Sequence, residues 1–119
     1  MGDDDHPFAL EYAPDVEGDF EEIGRVAARR VLGKIQDTLP KAPNQYGEGL
    51  DPPLQKYRRL RAGQYRVIYL VRDDLTPQQV WVLAVGKRAE GDREDIYERT
   101  SLSTLRQRIR NLLERLAGR

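Results

Sequence analysis

Hydrophobic and polar positions change their period along the chain, and each change marks an element. Residues 7–12 alternate, with Phe8, Leu10 and Tyr12 to one side and Ala9 and Glu11 to the other, which is the spacing of a half-buried strand. Val16, Phe20, Ile23, Ala27, Val31 and Ile35 then recur at helical steps. This spacing predicts a helix from Pro14 to about Leu39, with Gly24 placed to split it in two. Asp15, Glu17 and Asp19 fall in its first turns, where negative charge meets the positive end of the helix dipole. Prolines and glycines punctuate residues 40–53, an irregular connection. Three strands are expected at 54–61, 64–72 and 79–85. The last two are unbroken β-branched and aromatic runs, and the short turns at Ala62-Gly63 and 73–77 suit antiparallel hairpins. Beyond Tyr97 the helical period returns through Leu102, Leu105, Ile109, Leu112 and Leu116.

The order strand, helix, helix, strand, strand, strand predicts an α+β fold. An antiparallel-rich four-stranded sheet packs against two N-terminal helices as two layers, followed by a C-terminal helix. At 119 residues the chain suits one core. Residues 1–6 read as an acidic tail, 7–97 as the main body, and 98–119 as a basic amphipathic helix of the same domain, docked on its own sheet in preference to a partner.

Composition narrows the chemistry. No cysteine is present, which removes disulfides, thiolate zinc sites and cysteine nucleophiles. The apolar runs are strand-sized, far short of the roughly 20 residues of a membrane span. The start is acidic where a secretory signal would be basic, so a cytoplasmic protein is expected. The net charge of zero conceals a polarity: residues 1–22 carry nine acids and no Lys or Arg, and the remainder carries twenty Lys or Arg against eleven acids. Sixteen of those cations are arginine, whose planar fork matches phosphate oxygens.

Alternation puts Tyr57, Arg59 and Arg61 on one strand face, with Lys56, Arg58 and Leu60 on the other. Arg66 lies amid the apolar run Tyr65-Arg66-Val67-Ile68-Tyr69, where a cation is costly unless it is paired or lines a cleft. Lys87 and Arg88 follow Gly86 at the end of the last strand. Two readings stay level on spacing alone. Arg59, Arg66 and Lys87 or Arg88 converge on an anion, or they form salt bridges with Glu48, Asp51 or Asp95. Gly86-Lys87-Arg88 lacks the upstream glycines of a phosphate loop. The only histidine, His6, sits in the acidic tail, so a two-histidine ribonuclease mechanism is excluded.

The succession of Phe8-Ala9-Leu10-Glu11-Tyr12, a helical pair, Tyr57-Arg58-Arg59-Leu60-Arg61, Tyr65-Arg66-Val67-Ile68-Tyr69, Val85-Gly86-Lys87-Arg88 and Ile96-Tyr97 resembles the RelE/ParE toxin superfamily, its RelE branch most closely. That resemblance implies a RelE-like fold and the toxin of a type II toxin-antitoxin system. It implies a ribosome-dependent endoribonuclease that cuts messenger RNA in the A site, without cofactor or metal, and is held inactive by a cognate antitoxin. Arg59 falls where the family has a transition-state lysine, and Arg66 matches its phosphate-binding arginine. Arg88 matches the arginine proposed to protonate the leaving oxygen, and Tyr97 the late tyrosine that orients or stacks on RNA. Tyr57, Arg61 and Lys87 are expected to contact the RNA around them. Tyr57 replaces a lysine of the RelE pattern, and the spacer from Arg88 to Tyr97 is longer. Tyr57, Lys87 and Glu48 are the candidate bases. The runner-up function is a ParE-like inhibitor of DNA gyrase, and the third a member that only binds its antitoxin.

Overall fold

The structure is a computed structural model that describes residues 6–92 and 95–119. The acidic run Asp3-Asp4-Asp5 read as a tail lies outside the described residues, and His6 is exposed. The chain builds β1 (Ala9–Tyr12), α1 (Val16–Ile23), α2 (Arg25–Thr38), α3 (Pro43–Tyr46), β2 (Glu48–Gly49), β3 (Arg58–Ala62), β4 (Tyr65–Arg72), β5 (Gln79–Lys87), α4 (Ile96–Arg99) and α5 (Leu102–Ala117).

The fold is α+β as expected, with five strands in place of four, ordered β1-β5-β4-β3-β2. The extra strand is the two-residue β2, which pairs Glu48 with Arg59 and is too short to show in the pattern. β1 runs parallel to β5, and the other pairings are antiparallel. β3 begins at Arg58, later than expected, because turn bonds from Leu54 N–H to Asp51 and from Tyr57 N–H to Leu54 occupy the preceding backbone. The first helix starts at Val16, after a turn in which the Val16 amide bonds the Ala13 carbonyl. Gly24, at φ 92, separates α1 from α2, a left-handed conformation that a side chain resists.

Leu60, Val67 and Val85 share one sheet face, as do Ala62, Tyr65 and Lys87 at the next level. Helices α1 and α2 cover that face, since Ile23 of α1 and Arg30 and Lys34 of α2 line cavities with Tyr65. The opposite face carries Arg59, Arg61, Arg66, Ile68, Ala84 and Gly86. Ile96 of α4 sits against Gly86, and Arg119, just past α5, reaches Glu11 of β1 at 3.0 Å. The terminal helix is thus a third layer docked on its own sheet. Leu105 and Leu112 are its fully buried anchors, and the Ser101 hydroxyl caps it by accepting from the Thr104 amide at 3.1 Å. Among the described residues no helix is long and apolar enough to cross a membrane.

The two helical layers meet at the edge of β5 that the short β1 leaves open. There Asp19 of α1 accepts from the Val85 amide at 2.9 Å and from Arg108 of α5 at 2.6 Å, while Arg108 also donates to the Leu83 carbonyl at 2.9 Å. Both side chains are largely buried, at 9% and 19% exposure, so removing either leaves the other's charge stranded. Arg108→Ala is expected to cost about 2–3 kcal/mol in urea denaturation, whereas Arg110→Ala, exposed on the same helix, stays within about 0.5 kcal/mol. Equal midpoints for the two variants would show that the edge is held by other means.

Candidate anion-binding site

Five of the seven predicted site residues gather at one end of the face that α4 and α5 partly cover. β3 supplies Arg59 and Arg61, β4 supplies Arg66, Arg88 follows β5, and α4 supplies Tyr97. The register sets Arg61 directly opposite Arg66. Like charges in that relation cost roughly 0.2–1 kcal/mol unless an anion lies between them. Arg66 has no carboxylate partner among the described residues and donates instead to the carbonyls of Gly63 and Tyr65, both at 2.8 Å.

Two guanidinium groups lie within cation–π reach of the Tyr97 ring, Arg59 at 5.9 Å and Arg88 at 5.0 Å from its centre. Its hydroxyl is buried, with no hydrogen-bond partner within bonding geometry among the described residues. The long spacer from Arg88 is closed by Asp95, which is 3% exposed and accepts from Arg88 at 2.6 Å and from the Ala89 amide at 2.8 Å. The Asp95 carbonyl in turn accepts from the Glu98 and Arg99 amides, which starts the turn carrying Tyr97. One residue therefore holds the cation through its carboxylate and begins the ring's turn through its backbone carbonyl. Its hydrogen bond, foremost, holds the Arg88 guanidinium more firmly protonated than usual.

Glu48 is brought to Arg59 by β2 and lies 3.0 Å from it, with Arg61 at 3.7 Å. The Arg59 hydrogen bond, foremost, lowers the Glu48 pKa and raises that of Arg59. The approach of β2 depends on Gly47, where a β-carbon would collide with the Tyr69 hydroxyl and the Arg59 carbonyl. Tyr69 donates to the Pro43 carbonyl at 2.6 Å, and Arg58 donates to the carbonyls of Asn44 and Gly47. These side chains on the helix-covered face thus hold the loop that delivers Glu48 to the other. Both sequence readings are present together, since the cations converge and three of them, Arg59, Arg61 and Arg88, already have acid partners.

Tyr57 and Lys87 do not join the cluster. Tyr57 shares the sheet face of Arg59 but is fully buried, its hydroxyl without a hydrogen-bond partner among the described residues. Lys87 pairs in register with Tyr65, which turns it to the other face. Sequence reasoning also missed the role of Asp19, read as a helix-dipole charge, because the strand edge that it caps is 66 residues away.

Residues 10–91 match the family model described as ParE toxin of type II toxin-antitoxin system, parDE. No curated protein sequence matches the chain. Among solved structures, the RelBE2 toxin-antitoxin complex from Mycobacterium tuberculosis is similar at 22% identity and TM-score 0.63, covering 69% of this chain and 99% of that one. A mutant of the E. coli toxin RelE in the free state is similar at 16% identity and TM-score 0.55, covering 91% and 96%. The archaeal RelE-RelB complex from Pyrococcus horikoshii is similar at 21% identity and TM-score 0.54, covering 71% and 99%. At these identities the likeness is one of fold.

Burial raises the Tyr57 pKa, as it does those of Tyr12 and Tyr69. The folded chain keeps a proton that the unfolded chain releases above about pH 10. The stability this contributes is complete below that pH and is lost as pH rises through the folded value. Tyr57→Phe is expected to fold with unchanged or slightly greater stability, because it deletes a buried hydroxyl without a hydrogen-bond partner among the described residues. Its alkaline loss in urea titrations should be shallower than the parent's. An equally steep loss would show that the Tyr57 hydroxyl is not the group that burial perturbs.

Proposed function

We propose RNA cleavage as the activity of this chain, which belongs to the ParE toxin family of type II toxin-antitoxin systems within the RelE/ParE superfamily. The observation that carries the reading is the Arg61–Arg66 like-charge pair beside a tyrosine ring within cation–π reach of Arg59 and Arg88. Such an arrangement suits a phosphate and the base attached to it. The reaction is attack of a ribose 2′-oxygen on its own phosphorus, with cleavage of the bond to the 5′-oxygen, giving a 2′,3′-cyclic phosphate and a 5′-hydroxyl.

In this mechanism Arg66 and Arg61 hold the phosphate, Arg59 meets the charge that develops on it, and Tyr97 stacks on the base. Arg88 stabilises the departing 5′-oxygen, which takes its proton from water because a guanidinium is a poor acid. Glu48 accepts the 2′-hydroxyl proton. Tyr57 is buried and Lys87 faces away, and Glu48 alone of the three candidate bases lies beside the cluster. While paired to Arg59 it is a weak base. A phosphate that draws Arg59 away relieves the lowering of its pKa and makes it a stronger one. The messenger RNA is presented by the ribosome, which contributes the in-line geometry that few protein groups here could impose. The cognate antitoxin is the inhibitory partner.

A second reading, inhibition of DNA gyrase, is favoured by the ParE description of the matching family and by the neutralisation of Arg59 and Arg88 by Glu48 and Asp95. Induction in cells, with mapping of messenger-RNA 5′ ends alongside a gyrase supercoiling assay, separates the two. Ribosome-phased cuts are expected, and supercoiling inhibition without cuts would reverse the assignment. Arg66→Ala is expected to fold, to bind the antitoxin, and to lose about a hundredfold to a thousandfold in cleavage rate. Undiminished cleavage by this variant would remove Arg66 from the mechanism.

A further inference from the structure

The cations of the chain divide into two populations. On and beside α5, Arg99, Arg108, Arg115 and Arg119 pair with Glu22, Asp19, Glu17 and Glu11, so four acids of the N-terminal segment are engaged internally, while Arg106 and Arg110 are in no ion pair among the described residues. Helix α2 is the opposite case. It carries Arg25, Arg29, Arg30 and Lys34 against a single acid, Asp37, and none of the four cations is in an ion pair among the described residues.

Two of these cations line a groove. Arg30 and Lys34 are one helical turn apart and face the β3–β4 hairpin across a cavity of about 550 Å³, whose other wall is Arg61, Gly63, Gln64 and Tyr65. We propose that this groove is a second RNA-phosphate site, and that the strand held at Arg66 continues around the hairpin into it. The proposal rests on the RNA reading of the face bearing Arg59 and Arg66. Arg61 is the shared element, because it lines the groove and also stands opposite Arg66.

The lining selects the ligand. Cations beside a half-buried tyrosine ring and an exposed glutamine amide match a single-stranded polyanion with bases to stack. Ala62 and the Tyr65 ring are the apolar side chains of the lining, and the charge of Arg30, Lys34 and Arg61 is what favours a polyanion over a docked protein segment. Interfaces with nucleic acid are by contrast polar and strongly positive.

The test uses the full chain and 2′-O-methyl RNA, which cannot be cleaved, as a short oligomer that spans one site and as one of about 10 nucleotides that spans both. Binding is followed by fluorescence anisotropy across a salt series. Arg30→Ala/Lys34→Ala is expected to leave the short oligomer unaffected and to weaken the long one about tenfold. Its plot of log affinity against log salt should be shallower by roughly 1.4, or 0.7 for each of two lost contacts. Both positions are exposed, so the double variant should fold, and Arg110→Ala controls for a general loss of charge.

An unchanged affinity and slope for the long oligomer would overturn the proposal, and so would its displacement from the parent protein by polyglutamate as readily as by RNA. Arg66→Ala supplies the second arm. If it weakens both oligomers while the groove variant weakens neither, the groove alone fails. If the parent binds neither oligomer, the RNA reading of the sheet face fails with it.

Discussion

The Asp19 carboxylate, held between Arg108 and the Val85 amide, is the contact on which the arrangement of layers depends. β5 is the strand that β1, β4, α1, α4 and α5 all touch, yet β1 covers only part of its outer edge. The exposed stretch would leave backbone groups unpaired in a region otherwise closed to water. A side chain from each helical layer fills that stretch instead. The same contact holds α5 to the sheet, while Asp95 separately sets the turn that carries Tyr97.

Charge is distributed with the same economy. The acidic N-terminal segment and the basic C-terminal helix lie far apart in sequence, and they neutralise one another along the β1–α5 seam. A net charge of zero thus coexists with a molecule in which the four cations of α2 and Arg66 are in no ion pair among the described residues. The polarity seen in the sequence suggested an anionic partner for the whole basic half. Much of that half turns out to have its partner in the chain itself, which leaves a smaller set of positions for any external ligand.

Much of the fold was legible in the residues. The runs that form β4 and β5 are β-branched and aromatic without breakers, Gly24 marked the helix break, and the leucine spacing after Leu102 marked α5. Less visible were features set by distant contacts: the parallel pairing of β1 with β5, the two-residue β2, and the placement of α5 as a third layer. The candidate site divides along the same line. Alternation and the family resemblance grouped Arg59, Arg61, Arg66, Arg88 and Tyr97. Tyr57 obeys the same alternation but is buried, and Lys87 is turned away by the same period of two that places Gly86 opposite Arg66. Period assigns a face, and only packing decides what remains open on it.

The attachment of Arg88 and the Tyr97 turn to a single residue, Asp95, bears on how such a site could diversify. Because Asp95 holds Arg88 by its carboxylate and starts the Tyr97 turn by its carbonyl, Glu90 and Gly91 are not what sets the distance from cation to ring. Insertions and deletions there would change the rim without disturbing the grip at its base. The longer spacer that set this chain apart from the RelE pattern is then a position where recognition can be rewritten while the underlying chemistry stays fixed.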